Sequence, residues 1–212
     1  MSNTSLTFTH NFCESRLNNY QPPEIYNSIS ALFMVFLPLI FGFPRNGILF
    51  NIAALLQFNG VASCYYHYKL NWIGKQSDEI SMILANYFGI WSLLKIYFRK
   101  DTNKINFYNR FNTIYMTSFI SINTLSYMDK AFPWLFTIYV LQSIYIIDLI
   151  SKKYFIRYKQ QLCISLIGCI CWFLSELWCN NWTYLGHSAW HILFPLGFYK
   201  LFLQYDRKNI IN

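Results

Sequence analysis

The sequence predicts an all-α, polytopic membrane protein: a bundle of seven transmembrane helices with a lumenal or external N-terminus and a cytosolic C-terminus. Three observations predict this fold. The 212 residues are 55% hydrophobic and only 12% charged, which is too apolar for an ordinary soluble domain. Seven segments approach the roughly 20 apolar residues that a helix needs to cross a bilayer. The cationic residues are concentrated on alternate connections between those segments.

The seven predicted spans follow one another with short connections. They are residues 25–43, 47–66, 80–98, 111–128, 131–150, 161–179 and 184–203. Lys95 lies near the end of the third span, and the fourth is rich in Asn, Ser and Thr. No soluble domain is inserted, so we predict one domain with an N-terminal segment (1–24), a helix bundle (25–205) and a cytosolic tail (206–212).

The cationic residues set the predicted orientation. Of the 17 Lys and Arg residues, all but Arg16, Lys69, Lys75 and Lys130 fall on the side away from the N-terminus. This asymmetry places that side in the cytosol. Because the basic residues lie between apolar runs, the net charge of +8 reflects topology. We therefore expect the lipid bilayer as a partner, with no nucleic acid and no obligate protein partner.

Three histidines form the first candidate site. His187 and His191, in "GHSAWHIL", share one helix face about 6 Å apart at Cβ. His67 ends the second span on the side where the seventh span begins. Three imidazoles with an open fourth position are typical of a catalytic zinc site, although iron or manganese also accepts this donor set. The alternative is a set of interfacial or hydrogen-bonded histidines, but ionisable groups inside membranes are costly and usually functional.

Polar residues expected at the same membrane depth supply candidate catalytic groups. Asp78, predicted near the opening of the third span, can move protons between water and a leaving group. Ser63, one helical turn before His67, can donate to an oxyanion. Glu176 can hold the outer nitrogen of a metal-bound histidine. The alternatives are a helix-dipole partner for Asp78, a packing role for Ser63 and a solvated helix end for Glu176.

Two cysteines, Cys13 and Cys179, are both predicted on the lumenal or external face. An oxidising compartment permits a disulfide between them, which would tie the N-terminal segment to the end of the sixth span. We interpret the remaining cysteines as small apolar residues of the helices.

The chain resembles the alkaline ceramidases, within a superfamily of seven-helix membrane hydrolases that also includes the adiponectin-receptor-like proteins. The resemblance rests on "NFCESRLNNYQPPEIYNSIS", "GVASCYYHYKLNWIGKQSDE" and "GHSAWHIL", which occur in that order along almost the whole chain. It implies zinc-dependent hydrolysis of the ceramide amide to a sphingoid base and a fatty acid. His67, His187 and His191 would bind zinc, while Ser63 assists the transition state and Asp78 handles protons.

The resemblance also implies a calcium site in the N-terminal segment. Cys13, Glu14 and Glu24 match the family, whereas Asn11 and Phe12 replace its usual Asp-Trp pair. With Glu14, Glu24 and Asn11 as ligands, one carboxylate fewer than usual, we predict weak binding of Ca²⁺ or none. The alternative is a helix start with Glu24 near the positive end of the dipole.

The resemblance further implies a multi-pass protein of an endomembrane such as the ER or Golgi, with the plasma membrane or a bacterial inner membrane as alternatives. Two other functions stay open on the sequence: a related hydrolase of other lipid amides or esters, and a seven-helix receptor of the same superfamily. A transporter is disfavoured because the sequence has no evident inverted repeat or pair of broken helices.

Overall fold

The structure, a computed structural model, describes residues 12–99, 101–125 and 131–208, and within these ranges its regular elements are α-helices. The helices are α1 (Cys13–Leu17), α2 (Ile25–Ala31), α3 (Phe33–Phe41), α4 (Gly47–Lys69), α5 (Trp72–Phe98), α6 (Thr102–Leu125), α7 (Ala131–Tyr154), α8 (Lys159–Leu177) and α9 (Gly186–Arg207). The chain is therefore all-helical over its described residues, as the sequence predicts.

Helix length and composition fit a multi-pass membrane protein. Four helices, α4, α5, α7 and α8, are long and apolar enough to cross a bilayer, and α2 and α3 together form a shorter apolar stretch, Ile25–Phe41. Large apolar side chains cover the outer surface, among them Ile29, Leu39, Trp134 and Tyr145, each more than 60% exposed. Such a surface suits a hydrocarbon environment.

Several helix bounds differ from the predicted spans. The first span is divided at Leu32 into α2 and α3. Helix α5 begins at Trp72, eight residues before predicted, so Asp78 lies within the helix. Polar residues obscured this start in the sequence, but the fold buries them: Lys75 and Glu79 form an ion pair at 3.2 Å. Helix α6 likewise begins nine residues early, and α9 continues past residue 205 into the predicted tail.

Packing brings distant segments to one end of the bundle. Only Leu70 and Asn71 join α4 to α5, and the Asn71 side chain accepts a hydrogen bond from Gly74 N at 2.7 Å, which caps α5. Helix α9 packs on α8 and on α2 and α3, which also pack on α4. The C-terminus of α4 and the N-termini of α5 and α9 consequently lie together at what we call the histidine end.

Candidate metal centre

Three imidazole rings meet at the histidine end. The ring centroids of His67 lie 5.0 Å from those of both His187 and His191, and the latter two are 4.7 Å apart. One ligand atom from each ring lies within 4.8 Å of the other two. All three side chains are buried, at 0%, 4% and 0% exposure. Residues 120 or more positions apart in sequence therefore converge on one point.

Close packing of α8 on α9 fixes two of these rings. At Gly186, the first residue of α9, a Cβ atom would lie 2.1 Å from the carbonyl oxygen of Cys171 in α8. Only glycine permits this approach, which holds the first turn of α9 against α8. His187 and His191 follow in the first two turns and face the last turn of α4, where His67 lies.

The outer nitrogens of two rings are held by hydrogen bonds. His67 Nδ1 lies 2.5 Å from Glu24 Oε2, and His191 Nδ1 lies 3.0 Å from Ser30 Oγ. Nε2 is thus the nitrogen that each ring can offer to a metal, since an outer partner fixes ring orientation and tautomer. His187 Nδ1 is buried and has no hydrogen-bond partner among the residues that the structure describes. The donor set fits a metal ion such as zinc.

Glu176 makes a different set of contacts from those that the sequence suggests. Its Oε1 approaches His187 Nδ1 at 3.8 Å, too far for a hydrogen bond. Its Oε2 pairs instead with Arg16 Nη2 at 3.0 Å, and its Oε1 accepts from Cys13 N at 3.4 Å. The carboxylate that orients a ring of the cluster is Glu24. The sequence does not reveal this contact, because Glu24 there matches a calcium ligand of the resembled family.

Ser63 and Asp78 lie beside the cluster. Ser63 Oγ is 3.4 Å from His191 Nε2, and the side chains of Ser63 and Asp78 are close to each other. Asn59 holds Asp78, because its Nδ2 donates to Asp78 Oδ1 at 2.9 Å. Sequence reasoning missed Asn59, although the spacing of Asn59, Ser63 and His67 by four residues places all three on one face of α4.

Phe12, the first described residue of the N-terminal segment, lies over the cluster. The Phe12 ring packs on His187 and His67, with centroids 4.2 and 5.4 Å apart. The next residue, Cys13, forms a disulfide with Cys179, whose sulfur atoms are 2.07 Å apart. Together with the pairing of Arg16 and Glu176, this link fastens the segment to the end of α8.

The carboxylates assigned to calcium are engaged within the protein. Glu14 accepts hydrogen bonds from the N–H groups of Tyr26 and Asn27 at 2.9 and 3.0 Å. Glu24 accepts from Ser15, from the Asn27 side chain at 3.2 Å and contacts His67. Burial raises the pKa of Glu14, as does the nearby Glu24, whereas the two N–H donors and His187 lower it.

Ca²⁺ takes about six to eight oxygen ligands, and both carboxylate oxygens of Glu14 and of Glu24 already have partners within the protein. Weak binding of Ca²⁺, or none, therefore stays the prediction. The third predicted ligand, Asn11, lies outside the described residues. The proposed hydrolysis does not involve a calcium ion.

We expect Ca²⁺ to leave thermal stability unchanged. A site with a Kd of about 10 μM would stabilise the fold by about 2.7 kcal/mol at 1 mM Ca²⁺ and raise the melting temperature by several degrees. Differential scanning calorimetry with and without CaCl₂, with MgCl₂ as the control for ionic strength, measures this. A rise of several degrees with CaCl₂ alone would restore the calcium site.

An apolar cavity begins beside the histidines. It has a volume of about 100 Å³ and is lined by 16 residues from several helices, including Met34, Phe136, Phe194 and Phe202. Two lining residues adjoin the site: Asn59, which holds Asp78, and Trp190, which precedes His191. The apolar lining of this cavity suits the apolar part of a ligand whose polar part lies near the histidines.

The fold and the site together define a helical membrane protein with a buried cluster of three histidines suited to a metal ion. A family model for ceramidases matches residues 4–209. The chain therefore belongs to the ceramidase family.

Similar proteins include an alkaline ceramidase of Caenorhabditis elegans, 27% identical over 95% of this chain and 81% of the relative. Alkaline ceramidase 1 of Mus musculus is 26% identical over 88% of this chain and 75% of its own length. Alkaline ceramidase 1 of Homo sapiens is 25% identical over 88% and 77%.

Proposed function

We propose that this protein is a zinc-dependent intramembrane amidase that hydrolyses ceramide to a sphingoid base and a free fatty acid. The observation that carries the proposal is the convergence of three buried imidazoles with Ser63 and Asp78 at the edge of an apolar cavity. Membership of the ceramidase family supports the substrate class.

The proposal includes seven membrane spans with a lumenal or external N-terminus and a cytosolic C-terminus. Four helices qualify by length and composition, and α6 and α9, with 24 and 22 residues, are also about 30 Å or more long. Helices α2 and α3 would together form the first span. The excess of Lys and Arg at the end opposite the histidines supports the orientation.

Substrate would bind with its chains in the apolar cavity and its amide at the histidines. Phe136, Phe194 and Phe202 offer apolar surface to the chains. The amide then lies beside Ser63 and Asp78, close to the point where the three rings meet. Burial of the remote chains supplies binding energy that holds the reacting bond in place.

Different residues of the site carry out the proton transfers and stabilise the developing charge. His67, His187 and His191 would hold a zinc ion, which would supply Lewis-acid polarisation of the carbonyl and lower the pKa of a bound water. Asp78 takes a proton from the attacking water and delivers it to the amide nitrogen as the C–N bond breaks. Ser63 donates a hydrogen bond to the oxygen that becomes negative. Asn59 keeps Asp78 oriented for both transfers.

The test is product analysis with purified protein in nanodiscs. Ceramide, a non-ceramide lipid amide and an ester lipid are supplied separately, and mass spectrometry detects fatty acid and sphingoid base. We expect cleavage of ceramide in preference to the other two. Preferential cleavage of another lipid would assign the protein to the wider group of membrane hydrolases, and no cleavage of any would favour a receptor.

A further inference from the structure

Three cations gather at the end of α9 that is opposite the histidines. Lys200, Arg207 and Lys208 line a pocket between α3, α8 and α9. The other lining residues are Phe41, Gln161, Leu203 and Gln204. We call this the basic pocket. It is separate from the apolar cavity, and neither the proposed chemistry nor the family resemblance uses it.

The positive charge of the basic pocket is not neutralised by a carboxylate of the described residues. Asp101 pairs with Lys104 at 3.1 Å, and Asp148 pairs with Lys152 at 2.6 Å. Asp206, the acidic residue nearest in sequence, instead accepts the backbone N–H groups of residues 45 and 46, both at 2.9 Å. The described carboxylates at this end are therefore committed elsewhere.

The cations are held near Phe41 by weak contacts. Lys200 Nζ lies 4.8 Å from the centroid of the Phe41 ring, and Arg207 Nη2 donates to the Phe41 carbonyl at 3.5 Å. Neither contact supplies a negative charge. An anion that entered the pocket would thus meet positioned cationic side chains whose charge is not balanced by a described carboxylate.

Uncommitted polar groups line the same pocket. Gln161 Oε1 and Gln204 Oε1 are buried and have no hydrogen-bond partner within the described chain. Buried polar atoms of this kind usually have a partner, and rotation of each amide about its last bond presents N–H donors instead. The carboxamides of Gln161 and Gln204 can therefore bind a ligand that both accepts and donates hydrogen bonds. A phosphate with neighbouring hydroxyl groups is such a ligand.

The N-terminus of α8 adds to the positive potential. Its N-cap residue, Tyr158, makes no side-chain hydrogen bond to the first turn, in which Gln161 lies. At Gly197 a Cβ atom would lie 2.3 Å from the Gln161 carbonyl oxygen, so glycine allows α9 to contact this turn closely. Lys200 and Gln204 follow on the same face of α9. Unsatisfied N–H groups at a helix start favour anions.

We propose that the basic pocket binds the phosphate of an anionic lipid headgroup. The pocket lies at the ends of α3, α8 and α9, which the proposed topology places at the membrane surface where headgroups are found. Phe41 and Leu203 border it with apolar surface. Basic pockets between transmembrane helices on the cytosolic side recognise such headgroups. The site is independent of the proposed amidase activity, and its test does not measure hydrolysis.

The experiment is a binding titration of the purified full-length protein in detergent with short-chain phosphatidic acid, followed by microscale thermophoresis. Variant one carries Lys200→Gln, Arg207→Gln and Lys208→Gln. The matched control carries Lys104→Gln, Arg110→Gln and Lys153→Gln, which remove equal charge from the same end outside the pocket. We expect about a 100-fold loss of affinity in variant one and less than about tenfold in the control. Equal losses in both would overturn the proposal.

A charge-neutral variant separates the pocket from general attraction. Gln161→Leu with Gln204→Leu should weaken binding about tenfold, whereas Gln160→Leu, an exposed neighbour, should not. If variant one does not fold, the double variant Gln161→Leu with Gln204→Leu still tests the pocket. Wild-type affinity for phosphatidic acid in this double variant would overturn the site.

Inorganic phosphate is titrated in parallel. Much weaker binding of inorganic phosphate identifies a lipid source, and equal binding identifies a soluble phosphate ligand of the same pocket.

Discussion

The variant His187→Ala is expected to lose its bound zinc and at least about 1,000-fold in kcat. The loss follows because a three-imidazole site reduced to two ligands no longer holds the ion, and Lewis-acid stabilisation of the transition state is worth several kcal/mol. Elemental analysis of the purified variant measures the metal, and ceramide hydrolysis measures the rate.

The neighbouring variant Ser188→Ala is the matched control. Ser188 is buried on the same turn and donates to Asn27 Oδ1 at 2.9 Å, and it is not one of the three histidines of the cluster. It should keep the zinc and most of the activity. Wild-type activity in His187→Ala, or active wild-type protein that contains no transition metal, would contradict the metal centre.

The variant Asp78→Asn is expected to retain zinc and to lose between about 100-fold and 10,000-fold in kcat. The amide preserves the shape of the side chain and cannot move the proton, and general acid–base catalysis contributes a factor of this size. KM should change little, because the chains and the carbonyl are bound by other groups.

Glu79→Gln provides the control for this loss. Glu79 is the adjacent carboxylate, and both Asp78 and Glu79 are 8% exposed, but Glu79 faces Lys75 and accepts from Asn123 Nδ2 at 2.9 Å. We expect less than about tenfold loss in this variant. Loss of zinc from Asp78→Asn would instead make Asp78 a ligand, and equal activities in the two variants would remove its assigned role.

The sequence predicted the parts of this protein that follow from spacing and hydropathy. The interval between His187 and His191 fixes their common helix face. In a chain of seven spans, the second span ends on the side where the seventh begins, which places His67 at the same end. These two inferences were sufficient to predict the cluster that the structure brings together. The all-helical fold was predicted for the same reason, since long apolar segments allow few alternatives.

What the sequence could not show depends on tertiary contacts. The start of α5 at Trp72 was hidden because Lys75 and Glu79 look like loop residues until their burial and mutual pairing are known. The hydrogen bond from His67 Nδ1 to the Glu24 carboxylate joins residues 43 positions apart, and no spacing rule predicts it. The break at Leu32 is likewise set by packing of α2 and α3 on α4.

The placement of Phe12 over the histidine rings bears on how an apolar molecule reaches them. Phe12 packs on these rings, Cys13 is bonded to Cys179, and the three histidine side chains are at most 4% exposed. A molecule that is already dissolved in the bilayer would have to arrive sideways between helices. Turnover would then depend on the mole fraction of the lipid in its leaflet and would fall on dilution with inert phospholipid at constant total substrate.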